Sequence, residues 1–574
     1  ATTCNNLGNL LSDMGRFEEA RGYYEGGFLL VRDVLDRLSF ELSSLFANFV
    51  RTLLRLGEIG YARRVLEVAL GAFYGWWWRV FDPSIRDLVV SRVSELGRLQ
   101  CYADFLSGEE VVLLRDVCAW KSRRFKLDFL VKFSDDPVFK EFHELCLRKA
   151  RLMELREWAF REGRFDLVSR FESEDREVSE RLEELFVSIV YSSRVDFDAV
   201  RDYFSRFDFA FLEFFFVKGN ELLVIFYDSD DVLVRLVSFD YRRAVDLLSK
   251  FFRIGAQLGV RLVSEHSSLQ EFLSLLRGLV FVRFNELLSD ISSFFSKVIP
   301  EDVRVALRDA VSNGRYVVVI PNEILHYVPW EIVHLDDSYL GLSACVSRTF
   351  SLDILYYLAN LSRGEKGCGL AFINPTLDLV KTEVLGDFFS SHGAEVFMRG
   401  ECTKSSFFDA LNGSWSYIHF DGHGLFTGDI DTSGIRLNDG LLSVRELDKW
   451  SAGGNRIGGA PLVFLGACET SLSEIRPGDE LFGLARVFHS AGSPTVIASN
   501  WPVEVISTND LVKEFYDSWL TGRVDVAKAL LEARRVIRKN YENGKYGEVE
   551  LPLDGAYFWG GFTLNGWPLI YHLK

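Results

Sequence analysis

Two apolar runs in this sequence end on reactive side chains. Residues 417–424 read YIHFDGHG and stop at His423, between Gly422 and Gly424. Residues 462–471 read LVFLGACETS and stop at Cys468, two places after Gly466. A thiol attacks a carbonyl carbon as the thiolate, so it needs a partner that takes its proton and returns one to a departing amine. Imidazole does both near neutral pH. His423 and Cys468 are therefore the candidate base and nucleophile of an acyl transfer, with the backbone N–H groups of Gly424 and Cys468 as candidate oxyanion donors. Each residue also has a bland reading. Cys468 alone reads as a small hydrophobe closing a buried strand, and His423 alone as a turn cap. The pair His419 and His423 in HFDGH is no zinc motif, because that spacing needs a helix and a β-run ended by glycine supplies none. No metal or cofactor is expected, and no G-x-x-x-x-G-K-[ST] phosphate loop occurs in the chain.

Chemistry from these two residues requires their strands to lie side by side. The second half alternates apolar runs at 316–323, 369–375, 417–422, 461–467 and 494–502 with helical stretches such as 480–491 and 506–521. Near-continuous apolar runs of this length fit parallel strands buried on both faces, in a doubly wound α/β layer. Such sheets collect chemistry at the carboxyl ends of their strands, where both motifs lie. Ahead of them, residues 210–240 read as a three-strand meander with turn signals at Gly219-Asn220 and Asp228–Asp231, followed by helical periodicity from 241 to about 312.

The first half is helical. Gly15, Ala20, Tyr24 and Gly27 return 42 positions later as Gly57, Ala62, Leu66 and Ala69 (57 − 15 = 42), a helix-turn-helix repeat whose small residues let paired helices approach. REGRFDLVSRF (161–171) is a degenerate third copy, and GWWWRVFDP (75–83) reads as helix-packing aromatic core. The pattern resembles the tetratricopeptide family, although the usual period there is about 34 residues. The expected organisation is a repeat region at 1–195, a lead-in of meander and helices at 196–312, and an α/β domain at 313–574.

Bulk properties exclude several classes. A chain of 574 residues with 48% hydrophobic residues and 49 Phe is neither one small core nor largely disordered. A net charge of −17 repels phosphates, so direct DNA binding is not expected. The basic stretches WKSRRFK (120–126) and ARRVIRK (533–539) read as solvated helix faces. No apolar run is long enough to cross a membrane and no signal-peptide pattern opens the chain. The chain starts inside a repeat, so a preceding segment is expected. Eight scattered cysteines without a C-x-x-C pair fit a reducing, cytoplasmic compartment.

The joint pattern goes further than its parts. His423 and Cys468 lie 45 residues apart (468 − 423), each at a strand end, histidine first, as in caspase-like cysteine peptidases. VVVIPNEILHYVPWEIV (317–333), FINPTLDL (372–379), YIHFDGHG, LVFLGACETS, GDELFGLARVFHSAGSPTVIASNWPV (478–503) and YFWGGFTLNG (557–566) resemble the CHAT family, the caspase-like domain often attached to tetratricopeptide repeats and related to separase. With the meander, the resemblance covers about two-thirds of the chain. It implies a caspase-like α/β sandwich with a mainly parallel sheet, and a peptidase dyad carried by His423 and Cys468. Relatives more often have Ser where Gly466 stands, and a smaller or uncharged residue at Asp421.

The resemblance also bears on specificity and partners. Relatives cut after acidic or after basic residues, and a basic side chain needs a carboxylate in the pocket. In separase-like relatives that carboxylate follows a tryptophan in the next strand. Glu504, three places after Trp501, occupies that neighbourhood, with Asp421 and Asp479 as reinforcement. The competing role for Glu504 is to cap the helix beginning near 507. Relatives of this layout associate with RNA-guided effector complexes in bacterial defence or cleave gasdermin-like proteins. The expected function is thus a regulated cysteine endopeptidase whose repeats recruit a regulatory protein or ribonucleoprotein; the alternative is a non-catalytic scaffold.

Overall fold

The computed structural model describes residues 1–31, 42–77, 83–121, 123–133, 137–192, 197–259, 267–336, 338–361, 367–476, 479–546 and 551–572. The chain divides into two compact units: Ala1–Ala199 with Arg476–Glu480, and Val200–Ile475 with Leu481–Lys574. Residues 78–82 of the tryptophan-rich stretch and the 195/196 boundary lie outside the described residues.

The first unit is built of helical hairpins. Thr2–Asp13 pairs with Phe17–Val31, Leu42–Arg55 with Ile59–Trp77, Pro83–Ser107 with Glu110–Trp120, and Pro137–Arg161 with Phe165–Ser192. Each pair turns through a glycine in the left-handed region: Gly15, Gly57, Gly108 and Gly163, with φ between 67° and 76°. Side chains other than Gly rarely adopt that conformation, which explains the repeating signal. Ala20, Ala62 and Ala69 are fully buried between helices, and Gly8 lets the Tyr24 ring close in, since a Cβ there would stand 2.5 Å from it. Sequence periodicity found the turns at 15, 57 and 163. It missed Gly108, which lies 51 residues after Gly57 (108 − 57) and so breaks the 42-residue period.

The second unit is organised by one eleven-stranded sheet. The meander supplies β1 (Phe209–Lys218), β2 (Glu221–Tyr227) and β3 (Val232–Ser238). Then come β4 (Tyr316–Ile320), the two-residue hairpin strands β5 (His334–Leu335) and β6 (Ser338–Tyr339), β7 (Val346–Arg348), β8 (Gly369–Ile373) and β9 (Glu395–Met398). β10 (Tyr417–Asp421) is followed by a small three-stranded sheet of β11 (His423–Leu425), β12 (Gly434–Leu437) and β13 (Gly440–Ser443). The chain returns as β14 (Leu462–Gly466), the short pair β15 (Ser473–Arg476) and β16 (Glu480–Gly483), β17 (Thr495–Ser499) and β18 (Phe562–Gly566). The main sheet runs β3-β2-β1-β4-β7-β18-β17-β14-β10-β8-β9.

Pairing is parallel everywhere in the main sheet except β1/β2, β2/β3 and β17/β18, as the apolar runs predict. The meander is an extension of that sheet, because β1 pairs in parallel with β4. Strands β8, β10 and β14 are buried along their whole length. Helices Val505–Trp519 and Val526–Glu542 are amphipathic and bury their apolar faces in this unit. Two expectations are corrected. The stretch 480–491 is strand to Gly483 and helix only over Leu484–Ser490. ARRVIRK is not a solvated face throughout: Arg534 is 1% exposed and donates to the Phe562 carbonyl at 2.6 Å, in contact with buried Glu331.

Candidate active site

The register of three parallel strands creates the site. Asp421 at the end of β10 pairs with Gly466 of β14 on one side and Ile373 of β8 on the other. The three chains therefore leave the sheet at one edge. β8 runs into a loop beginning at Asn374, β10 into His423, and β14 into Cys468. Opening of the strands beyond their carboxyl ends is where an α/β sheet leaves room for a ligand.

The second and third loops touch through their backbones. A Cβ on Gly424 would lie 2.2 Å from the Cys468 carbonyl oxygen and 2.9 Å from Thr470 Cγ2, so only a residue without a side chain fits there. The Phe426 backbone N–H meets the carboxyl of Glu469, a further bridge between the loops. The Cys468 loop is stitched to β17. Thr470 Oγ1 accepts from the Ser499 N–H at 3.0 Å, the Ser471 N–H donates to the Ser499 carbonyl at 2.9 Å, and Ser471 Oγ donates to Asn500 Oδ1 at 2.8 Å.

The first loop reaches His423. Nε2 of that ring is 3.0 Å from both carboxylate oxygens of Asp378, and the two side chains are 34% and 41% exposed. Asn374 anchors this loop at both ends: its N–H donates to the Asp421 carbonyl at 3.0 Å, and its Oδ1 accepts from the Leu379 N–H at 2.9 Å. Asp378 was not singled out from the sequence, although it stands within the FINPTLDL motif. The only signal for it was an acid just past a strand, and nothing local says which strand is its neighbour.

Residues 295–567 match the CHAT domain family. The chain is also similar to two solved structures of the Saccharomyces cerevisiae separase–securin complex, at 3.0 and 2.6 Å resolution. Identities are 11% and 12%, TM-scores 0.47 and 0.45, and 98% of this chain is covered in each case. This chain spans about half of those chains, 53% in both. No curated protein matches it in sequence.

Within the matched residues, Cys468 is half-buried. Burial pushes its thiol up to about 11, the Glu469 and Asp421 carboxyls add to that rise, and a hydrogen bond with the Val503 backbone opposes it. Burial likewise raises the Glu469 carboxyl to about 7, and that residue holds a left-handed φ of 57°. Such backbone costs on the order of 1 kcal/mol and commonly marks functional loops.

The remaining candidate residues lie as follows. Glu504 directly follows Val503, the residue bonded to the thiol, and is half-exposed. Its Oε2 accepts from the Ser507 N–H at 2.7 Å, capping helix Val505–Trp519, so the capping role exists. Tyr557 lies within electrostatic reach of both Cys468 and Glu504. Trp501 is 1% exposed, packs against Phe251 and Phe284, and donates to the Tyr557 carbonyl at 3.3 Å. Its ring is core rather than open wall. Asp421 is buried, with its carboxyl pushed up to about 8 by burial, and its Oδ2 stands 3.9 Å from Nε2 of buried His419. Asp479 is buried in the turn between β15 and β16 at φ 59°. Among the described residues no group of three or more His, Cys, Asp or Glu could hold a metal ion.

Proposed function

We propose that the chain is a regulated cysteine endopeptidase using Cys468 as nucleophile and His423 as acid–base. The observation that carries this reading is the backbone contact of Gly424 with the Cys468 carbonyl, which joins the two loops at one sheet edge of a CHAT domain. His423 takes the Cys468 thiol proton as the sulfur attacks the scissile carbonyl carbon, and the carbonyl electron pair moves onto oxygen. The Gly424 and Cys468 N–H groups donate to that oxyanion. His423 then protonates the leaving amine and later deprotonates the water that hydrolyses the thioester.

Cleavage after a basic residue fits Glu504, one position beyond the residue that contacts the thiol. The cap bond uses Oε2, which leaves Oε1 for a guanidinium or ammonium group. Burial lifts the Asp421 carboxyl to about 8, so near pH 7 it brings little negative charge to a pocket. The helical hairpins offer a surface for a regulatory partner. RNA-guided effector complexes and gasdermin-like proteins are the partner and substrate classes implied by the family resemblance. Free cysteines suit a reducing cytoplasm. Among the described residues no helix is long and apolar enough to cross a membrane.

A thiol near 11 is mostly protonated at neutral pH, which also fits a non-catalytic scaffold or a resting enzyme. A positional-scanning fluorogenic peptide library, with and without candidate partners, separates these readings. Turnover by the wild-type chain that Cys468→Ala abolishes, with basic residues preferred before the cut, is the expected result. Basic preference that survives Glu504→Lys removes Glu504 from the pocket. Absence of turnover under every condition favours the scaffold.

A further inference from the structure

Among the groups around the dyad, Asp378 has the best-defined geometry and no part in the chemistry above. Its carboxylate presents both oxygens at 3.0 Å to one ring nitrogen of His423. A carboxylate accepts hydrogen bonds and does not donate them, so Nε2 carries the proton and Nδ1 keeps the lone pair. The carboxylate is itself held in place. Thr376 Oγ1 donates to Asp378 Oδ1 at 2.5 Å, and Asn374 ties the loop to the Asp421 carbonyl, two residues before His423. Two residues of this loop, Asn374 and Leu377, sit in the left-handed region at φ 50° and 68°. A non-glycine backbone is kept there only when its surroundings over-determine it. The loop is thus built to hold Asp378 against the ring.

We infer that Asp378 is a positioning residue that fixes the orientation and the Nδ1-basic tautomer of His423, making the site a Cys–His–Asp arrangement in function. This inference rests on the peptidase reading for its kinetic consequence and on geometry alone for the tautomer. The described contacts of Asp378 are with the His423 ring and the Thr376 hydroxyl. It acts through the ring, as an orienting carboxylate does in other acyl-transfer triads. Those carboxylates are buried and their loss costs about 10⁴-fold in kcat. Asp378 is partly exposed, so water can take over some of its bonds, and a loss of about 10- to 100-fold in kcat is expected.

The test uses the full chain labelled with ¹⁵N-histidine, compared with Asp378→Asn and Asp378→Glu. Two-bond ¹H–¹⁵N spectra in mildly alkaline solution read the tautomer of the His423 ring, assigned by its absence in His423→Gln. The expected result is the Nε2–H form in wild type and in Asp378→Glu. Asp378→Asn, whose amide can donate to Nε2, is expected to shift the ring toward Nδ1–H. Peptide turnover in the same variants is expected to show kcat down about 10- to 100-fold for Asn, KM within about twofold, and recovery in Glu. An unchanged tautomer in Asp378→Asn overturns the inference, as does faster turnover, which would make Asp378 a restraint on the ring. If wild type lacks turnover, the peptidase reading fails, while the spectra still decide the tautomer. Asp378 lies on an exposed loop, so folding of the variants is checked by an unchanged melting transition.

Discussion

Burial and two neighbouring carboxyls lift the Cys468 thiol to about 11, while the Val503 backbone pulls it down. Because only the thiolate reacts, the alkylation rate of this residue is expected to climb about tenfold per pH unit from pH 7 towards its pKa. The neighbours set part of that position. Removing a carboxylate removes repulsion of the thiolate, so Glu469→Gln and Asp421→Asn should each raise the iodoacetamide rate of Cys468 near pH 8 by about three- to tenfold. Peptide-resolved mass spectrometry isolates Cys468 from the other cysteines. A rate at Cys468 that is flat with pH, or already high at pH 7, contradicts the environment described for it. The same measurement needs no substrate, and so probes the nucleophile apart from the proposed peptidase.

The elements explain what single residues do not. Gly466 and Asp421 stand 45 positions apart in the chain (466 − 421), yet they are cross-strand partners in the β10/β14 register. A Cβ on Gly466 would stand 2.9 Å from Asp421 Oδ2, so the small residue on one strand makes room for the large one on the other. Gly466→Ser is expected to lower the melting transition by about 1–3 kcal/mol of overpacking. In the Asp421→Ala background the same change should cost at least about 1 kcal/mol less, since its neighbour is gone. Equal costs in both backgrounds would mean that the two residues do not couple. This coupling also shows where sequence reading stops. The apolar runs gave β4, β8, β10, β14 and β17, and their ends gave His423 and Cys468, because burial on both faces leaves a continuous pattern. Strand order is set by pairing between segments far apart in the chain, so neither the Asp421–Gly466 contact nor the reach of Asp378 to His423 has a local signature. β11 to β13 are three or four residues each, too short to show alternation. The capping bond of Glu504 was legible as an alternative, and the structure contains it.

Each of the two compact units carries a buried carboxyl that the fold pushes above its ordinary range. In the helical unit Asp104 is 1% exposed, and burial beside Asp116 pushes it up to about 7, with Arg63 at 3.2 Å and Arg115 opposing. In the sheet unit burial lifts Asp421 to about 8. Each begins from an ordinary value of 3.8. Between pH 4 and the raised value the folded state holds a proton that the unfolded chain has released, so stability falls as pH rises through that window. Buried neutral His419 and His489, lowered to about 3 and about 4, act oppositely and withdraw stability as pH falls below 6.5. Above pH 6.5 the histidines no longer contribute, and the carboxyls alone set the slope. The Tm is therefore expected to fall from pH 6.5 to 8. Asp421→Asn should raise it at pH 7.5 by about 1–3 kcal/mol of stability, a gain of several degrees that shrinks toward pH 5. Asp104→Asn should do the same on a smaller scale, its window closing near pH 7. Scanning fluorimetry across pH reads all three. A gain that grows toward acid pH would mean that these carboxyls are ionised in the fold.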